Sequence, residues 1–277
     1  MLSNSTQPLL LGIIGSPLGH SLSPLLHNWA LETAGLRGAY MAWPLAPDQL
    51  AAFMLGMRVL KIQGCSVTIP FKQRVIPYLD GLTAQARDTG AVNTLFWRKD
   101  KGLWGDNTDC PGCVAPLKDM GHIPDSALIL GAGGAALACV AALRQAGVST
   151  IMVAARRSDV LERLRCRFEI VKVSWDDRQT QPAGLLVNAT PLGMAGDMQG
   201  MSPLPKEYLG NFPLVYDLIY NPAQTRLMQE AEEAGCQTLG GLGMFVHQAA
   251  AQFELWTGRS FAGDQAIELL KAHLGQG

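Results

Sequence analysis

Nine consecutive residues, Leu128-Ile129-Leu130-Gly131-Ala132-Gly133-Gly134-Ala135-Ala136, join a buried-strand pattern to a glycine turn and then to an alanine-rich helix. Few folds accept that order, because a strand that runs through Gly-x-Gly into a helix opens a βαβ unit shaped around an anion. Gly131 permits the tight turn. Gly133 lets the backbone approach a dinucleotide pyrophosphate with no Cβ in the way, and the N–H groups of Gly134 and Ala135, opening the helix, face that anion. Ala136 fills the third glycine position, which the G/A form of the fingerprint accepts. Simple turn punctuation is the competing reading in a chain with 30 glycines.

The surrounding pattern favours the nucleotide reading. Strands are predicted at Ala127 to Leu130, Thr150 to Ala155, Glu169 to Val173, Leu185 to Asn188 and Leu214 to Leu218. Helices are expected between them at Gly134 to Ala146 and Ser158 to Arg167, and after them at Thr225 to Ala234. Strand and helix also alternate in the first half: strand Leu9 to Ile14, helix Pro24 to Ala34, strand Ala39 to Trp43, helix Pro47 to Leu60 and strand Gly64 to Ile69. A hairpin around Asp100-Lys101 follows. Gly240-Gly241-Leu242-Gly243 opens an apolar helix through Trp256, and a last helix runs from about Asp264 to Leu274. The expected fold is α/β in two domains, the second a doubly wound Rossmann sheet, with C-terminal helices returning to the first. The boundaries predicted are 1–109, completed by 245–277, for one domain and 110–244 for the dinucleotide-binding domain.

A formal net charge of −1, with no run of lysine and arginine, gives no general attraction to nucleic acid or to an anionic membrane, so a small-molecule partner is expected. Met1 to Pro8 has no basic region and Leu9-Leu10-Leu11 is too short for a signal core, which points to the cytoplasm. Ala127 to Leu143 runs 17 residues without a charge. That is short of the roughly 20 that span a bilayer, and the glycines inside it read as a strand-to-helix turn. Six scattered cysteines argue against a disulfide framework. Cys110-Pro111-Gly112-Cys113 has redox-motif spacing, but no second pair or histidine cluster completes a metal site, so it reads as coincidence at a helix start, and no metal is expected.

Seven polar signatures follow in order. They are Gly19-His20-Ser21-Leu22-Ser23-Pro24, Ser66-Val67-Thr68-Ile69-Pro70-Phe71-Lys72, Gly90-Ala91-Val92-Asn93-Thr94 and Gly105-Asp106-Asn107-Thr108-Asp109, then Asn188-Ala189-Thr190-Pro191-Leu192-Gly193-Met194, Tyr220-Asn221-Pro222 with Thr225, and Gly241-Leu242-Gly243-Met244 through Gln248. Together they resemble the shikimate dehydrogenase family over nearly the whole chain. The residues alone suit that chemistry: two serine hydroxyls beside a helix start match a carboxylate, with N-capping as the competing role. A lysine and a carboxylate at a strand-end cleft can exchange a proton with a substrate hydroxyl while hydride moves at the adjacent carbon.

The resemblance implies that Lys72 and Asp109 form the catalytic pair and that Ser21 and Ser23 hold the shikimate carboxylate. It places Thr68, Asn93 and Gln248 against the substrate, and Tyr220 near it, where a packing role competes. It also implies cofactor contacts at Asn188, Thr190 and Gly241. His20 and His27 read as structural. The family usually has asparagine where Ser66 stands. The shorter serine side chain would lose a substrate contact or bridge it by water.

Cofactor choice is read at the end of the second nucleotide-domain strand, where NAD binding calls for Asp or Glu. This chain has Ala154-Ala155-Arg156-Arg157-Ser158, and arginines grip a 2′-phosphate. NADP is favoured, with Asp159 leaving NAD open. The expected activity is therefore NADP-dependent reduction of 3-dehydroshikimate to shikimate, in aromatic amino-acid biosynthesis. A quinate/shikimate dehydrogenase using either cofactor is the nearest alternative. A non-catalytic nucleotide sensor is the rival from another class, and the retained Lys72 and Asp109 argue against it.

Overall fold

The computed structural model of the protein describes residues 7–19 and 21–275, so His20 lies outside the described residues. The chain divides into two compact units.

The first unit comprises the chain up to Thr108 together with Gln248–Leu270. Its elements are β1 (Leu9–Gly15), α1 (Ser23–Thr33), β2 (Gly38–Pro44), α2 (Leu50–Val59), β3 (Gly64–Val67), β4 (Gly81–Leu82), α3 (Ala84–Thr89), β5 (Thr94–Arg98) and β6 (Gly102–Asp106). They build a mixed sheet in the order β2-β1-β3-β5-β6-β4, with β5 antiparallel to both β3 and β6. The period of two along β1 sends Leu11 and Ile13 into a core with Ala30 and Leu31 of α1. Ile14 enters the core on the other face, with Met54 and Met57 of α2. Helix α2 begins at Leu50 rather than at Pro47, because the Gln49 side chain accepts from the Ala46 N–H and closes a separate turn there.

The second unit comprises Asp109–His247 and the chain from Lys271. It contains α4 (Asp109–Asp119), β7 (Ser126–Leu130), α5 (Gly134–Gln145), β8 (Thr150–Ala155), α6 (Ser158–Arg167), β9 (Val171–Ser174), β10 (Leu185–Asn188), β11 (Leu214–Asp217), α7 (Arg226–Glu233) and β12 (Gln237–Gly240). Every pairing is parallel, in the order β12-β11-β10-β7-β8-β9, the order of a doubly wound dinucleotide-binding sheet. Ala127 and Ile129 face the core that holds α4, α5 and α6, while Leu128 and Leu130 face the one that holds α7. Asp109 belongs to this unit because α4 packs on α5: Cys113 Sγ lies 2.8 Å from Cys139 Sγ, and all six cysteines are free thiols.

Helix α8 (Gly241–Thr257) begins in the second unit, with Met244 in its core, and enters the first at Gln248; α9 (Gly263–Leu274) is divided at Lys271. Among the described residues no helix is long and apolar enough to cross a membrane.

Candidate active site

The predicted substrate residues of the first unit gather around one buried polar network. Thr68 closes β3: its N–H donates to Ile14 O, and its carbonyl accepts from Phe71 N–H in a turn that delivers Lys72. The carbonyl of Lys72 accepts from Val92 N–H at 2.7 Å and Asn93 O accepts from Val67 N–H at 2.7 Å, so the lysine and asparagine segments are pinned side by side. Asn93 is buried, and its Oδ1 accepts from Thr108 N–H at 2.8 Å and from Thr94 Oγ1 at 2.7 Å. Its Nδ2 donates to Thr108 Oγ1 at 2.9 Å and, more weakly, toward Gln248 Oε1 at 3.5 Å. Thr68, Lys72, Asn93 and Gln248 are thus tied to one another or to segments that are, and Thr108 directly precedes Asp109.

Helix α1 is capped by Leu22 without a side-chain hydrogen bond, so neither serine serves as its N-cap; the Ser21 hydroxyl is 3.4 Å from Ser23 N, at the weak limit. Ser66 has partners within the protein. Its hydroxyl accepts from Tyr40 Oη at 2.7 Å and donates to Gln252 Oε1 at 2.8 Å, and the Tyr40 hydroxyl is also bonded by Ser23. Gln252 in turn donates to Asn93 O at 3.1 Å and Thr94 Oγ1 at 3.0 Å. Tyr40 and Gln252 escaped the sequence reading. The available signal was Gln252 itself, one turn beyond Gln248 on an apolar helix and hence on the same face. His27 is fully buried beneath them, stacked on Tyr40 at 4.4 Å, and neither ring nitrogen meets hydrogen-bond geometry. Burial lowers its pKa to about 3, with the facing Gln252 a weaker pull upward.

In the second unit the glycine turn has the expected shape. Gly131 has φ +109°, and a Cβ there would stand 2.8 Å from Ala189 O, so the turn itself demands glycine. Gly133 caps α5 with ordinary φ, and a Cβ on it would meet no atom within 4 Å, which leaves room for a ligand to approach. The N–H groups of Gly134 and Ala135 lie in the first turn, where no intrahelical acceptor exists. Gly131 N–H, by contrast, is taken by Ala154 O at 2.8 Å.

Past the end of β8, Arg156 is exposed and lines a cleft of about 480 Å³ with Ser158, Lys172, Ser174 and Trp175. Arg157 instead pairs with Asp159 at 2.9 Å, and Asp159 also takes Arg163 at 3.2 Å. The two arginines are therefore not equivalent.

Asn188 Oδ1 accepts from Thr190 N at 3.0 Å and Thr190 Oγ1 at 2.7 Å, fixing the turn that follows β10. Tyr220 stacks on Phe245 at 4.9 Å, and burial pushes its phenol pKa up. Gly241 is buried against the Leu218 carbonyl, where a Cβ would collide, and its N–H donates to Ile219 O at 3.1 Å. Among the described residues no group of three histidine, cysteine, aspartate or glutamate side chains could hold a metal.

Comparison with known proteins identifies the family. The family model for the shikimate dehydrogenase substrate binding domain matches residues 13–95, and that for the shikimate 5′-dehydrogenase C-terminal domain matches residues 241–261. A shikimate dehydrogenase (NADP(+)) of Oleidesulfovibrio alaskensis is 50% identical over 270 residues, 97% of this chain and 96% of that protein. A crystal structure of shikimate 5-dehydrogenase from Thermus thermophilus with NADP(H) and shikimate superposes with a TM-score of 0.85 at 36% identity, covering 95% of this chain and 99% of that one. One from Listeria monocytogenes with shikimate and NAD gives 0.85 at 34% identity, covering 95% and 96%. The chain belongs to the shikimate dehydrogenase family.

Proposed function

We propose that the protein is an NADP-dependent shikimate dehydrogenase that reversibly reduces 3-dehydroshikimate to shikimate, the first unit holding the substrate and the second the cofactor. The observation that carries this reading is the pinning of the Lys72 and Asn93 segments together, with Gln248 within reach of Asn93 and Thr68 in the turn that leads to Lys72, in a chain 50% identical to a named relative.

NADP fits the second unit. The space over Gly133, the first-turn N–H groups of Gly134 and Ala135, and the exposed Arg156 beside the Trp175 cleft would hold a pyrophosphate and a phosphorylated ribose. When bound, NADPH supplies the hydride. Lys72 gives a proton to the ketone oxygen as that carbon is reduced and takes it back in the reverse direction, while the Asp109 carboxylate orients the lysine. Ser21 and Ser23 donate to the substrate carboxylate, and Thr68, Asn93 and Gln248 meet the ring hydroxyls; Tyr220 is the substrate candidate of the second unit. Ser66, held by Tyr40 and Gln252, supports this layer from beneath rather than touching substrate. Asn188, Thr190 and Gly241 shape the cofactor side.

A steady-state panel of shikimate and quinate, each with NADP and NAD, tests the reading. The highest kcat/KM is expected for shikimate with NADP. Preference for quinate would make the protein a quinate-using relative, and nucleotide binding without turnover of either acid would leave a sensor.

A further inference from the structure

Strand β11 reads Leu-Val-Tyr-Asp and ends on a carboxylate with no solvent exposure, Asp217. Burying a charge without a cation is costly, and replacing such groups by apolar residues is often neutral or stabilising. Among the described residues no cation pairs with Asp217; three neutral donors do. Its Oδ1 accepts from Asn188 Nδ2 at 3.0 Å and Ile219 N–H at 3.1 Å, and its Oδ2 from Thr225 Oγ1 at 2.6 Å. Stability alone gives no reason to keep an acid there.

Its partners give one. A carboxylate is an acceptor only, so it fixes which way round the Asn188 amide sits: Nδ2 toward Asp217 and Leu192 O, Oδ1 toward Thr190. With the amide reversed, Thr190 would lose both bonds and the turn at 188–190 would be released. That turn lies over the glycine loop, because Ala189 O is the atom that excludes a Cβ from Gly131. On its other side Asp217 closes the turn at 217–219, whose carbonyls press on Gly241. The Asn188–Thr190 turn and Gly241 come from separate stretches of the chain, and Asp217 is the group they share.

We propose that Asp217 is a positioning residue for the cofactor side of the site, setting the Asn188–Thr190 turn and the turn before Gly241 through its three hydrogen bonds. The proposal rests on the reading of the second unit as the NADP-binding one.

The test measures NADPH dissociation by fluorescence, together with kcat and shikimate KM, in the full-length protein and two variants. Asp217→Ala is expected to raise the NADPH Kd at least about tenfold, with shikimate KM and kcat at saturating NADP within about threefold. Asp217→Asn keeps an acceptor for Asn188 and Ile219 but turns an NH2 on Thr225, so a rise of about threefold is expected. Because Asp217 acts through the turn, combining Asp217→Ala with Thr190→Ala should cost little more than the larger single change.

The proposal is overturned by an unchanged NADPH Kd in Asp217→Asn, by a shikimate KM that rises in step with the NADPH Kd, or by costs that multiply in the double variant. If Asp217→Ala does not fold, Asp217→Asn decides by the same criteria. A failure of the enzymatic reading shows in the unaltered protein's turnover, whereas a failure of this proposal shows in the variants' NADPH Kd.

Discussion

Arg156 and Arg157 stand together in sequence, but the structure divides their work, and replacing each with alanine exposes the division. The Arg157 guanidinium is held by Asp159 in a bidentate pair, so a ligand must compete with that carboxylate for it. Among the described residues Arg156 has no such partner, and it lines the cleft with Lys172 and Trp175. A hydrogen bond to a charged group is worth about 1.5–3 kcal/mol when shielded. Solvent screening at an exposed guanidinium brings this near the low end, about 1.4 kcal/mol, or tenfold. The unaltered enzyme should therefore favour NADP over NAD about tenfold in kcat/KM at saturating shikimate. Arg156→Ala should erase most of that preference, and Arg157→Ala should change it less than about threefold. The reasoning is refuted if Arg157→Ala removes the discrimination and Arg156→Ala leaves it intact.

Gln252→Leu would remove one acceptor and two donors at a site 1% exposed, leaving the Ser66 O–H proton without its acceptor and Asn93 O and Thr94 Oγ1 each short of one donor. A loss of about 3–5 kcal/mol is expected, read by denaturant titration as a lower midpoint with unchanged slope. His27, with its folded pKa of about 3 against an ordinary 6.5, binds its proton more readily when unfolded. Its contribution is therefore full above pH 6.5 and is lost progressively as pH falls toward 3. His27→Phe should flatten the loss of stability between pH 6.5 and 4, measured by thermal melts across that range. Asp109→Asn should cut kcat at constant pH, because the amide keeps the shape and loses the charge, and a stopped-flow or steady-state kcat checks it.

Much of the second unit was legible because its strands are buried on both faces and therefore apolar without interruption. The limits of β8, α6 and β10 coincide with those expected from sequence. Strand β12 was not legible: Gln237–Gly240 is a polar, partly exposed edge strand that lacks both an apolar run and alternation. Only the start of helix α4 was legible, at Cys110–Cys113; its run on to Asp119 was obscured by Pro116, which sits inside the helix. In the site, motif spacing pointed to the residues proposed to face a ligand, whereas the groups packed against them, Tyr40, Gln252 and Asp217, carry no spacing of their own. Only the fold brings Gln252 to Ser66, 186 positions away. Ser66 shows the same limit, since its shortness was visible in sequence and its two internal partners were not.

The central claim is that Lys72 moves the proton, and the kinetics of Lys72→Ala test it most directly. With shikimate and NADP both varied, the account predicts a kcat lower by roughly 10² to 10⁴, about 3–5 kcal/mol, with KM for shikimate little changed. A near-normal kcat with a greatly raised KM would contradict it, making Lys72 a binding residue and requiring the proton to come from another group.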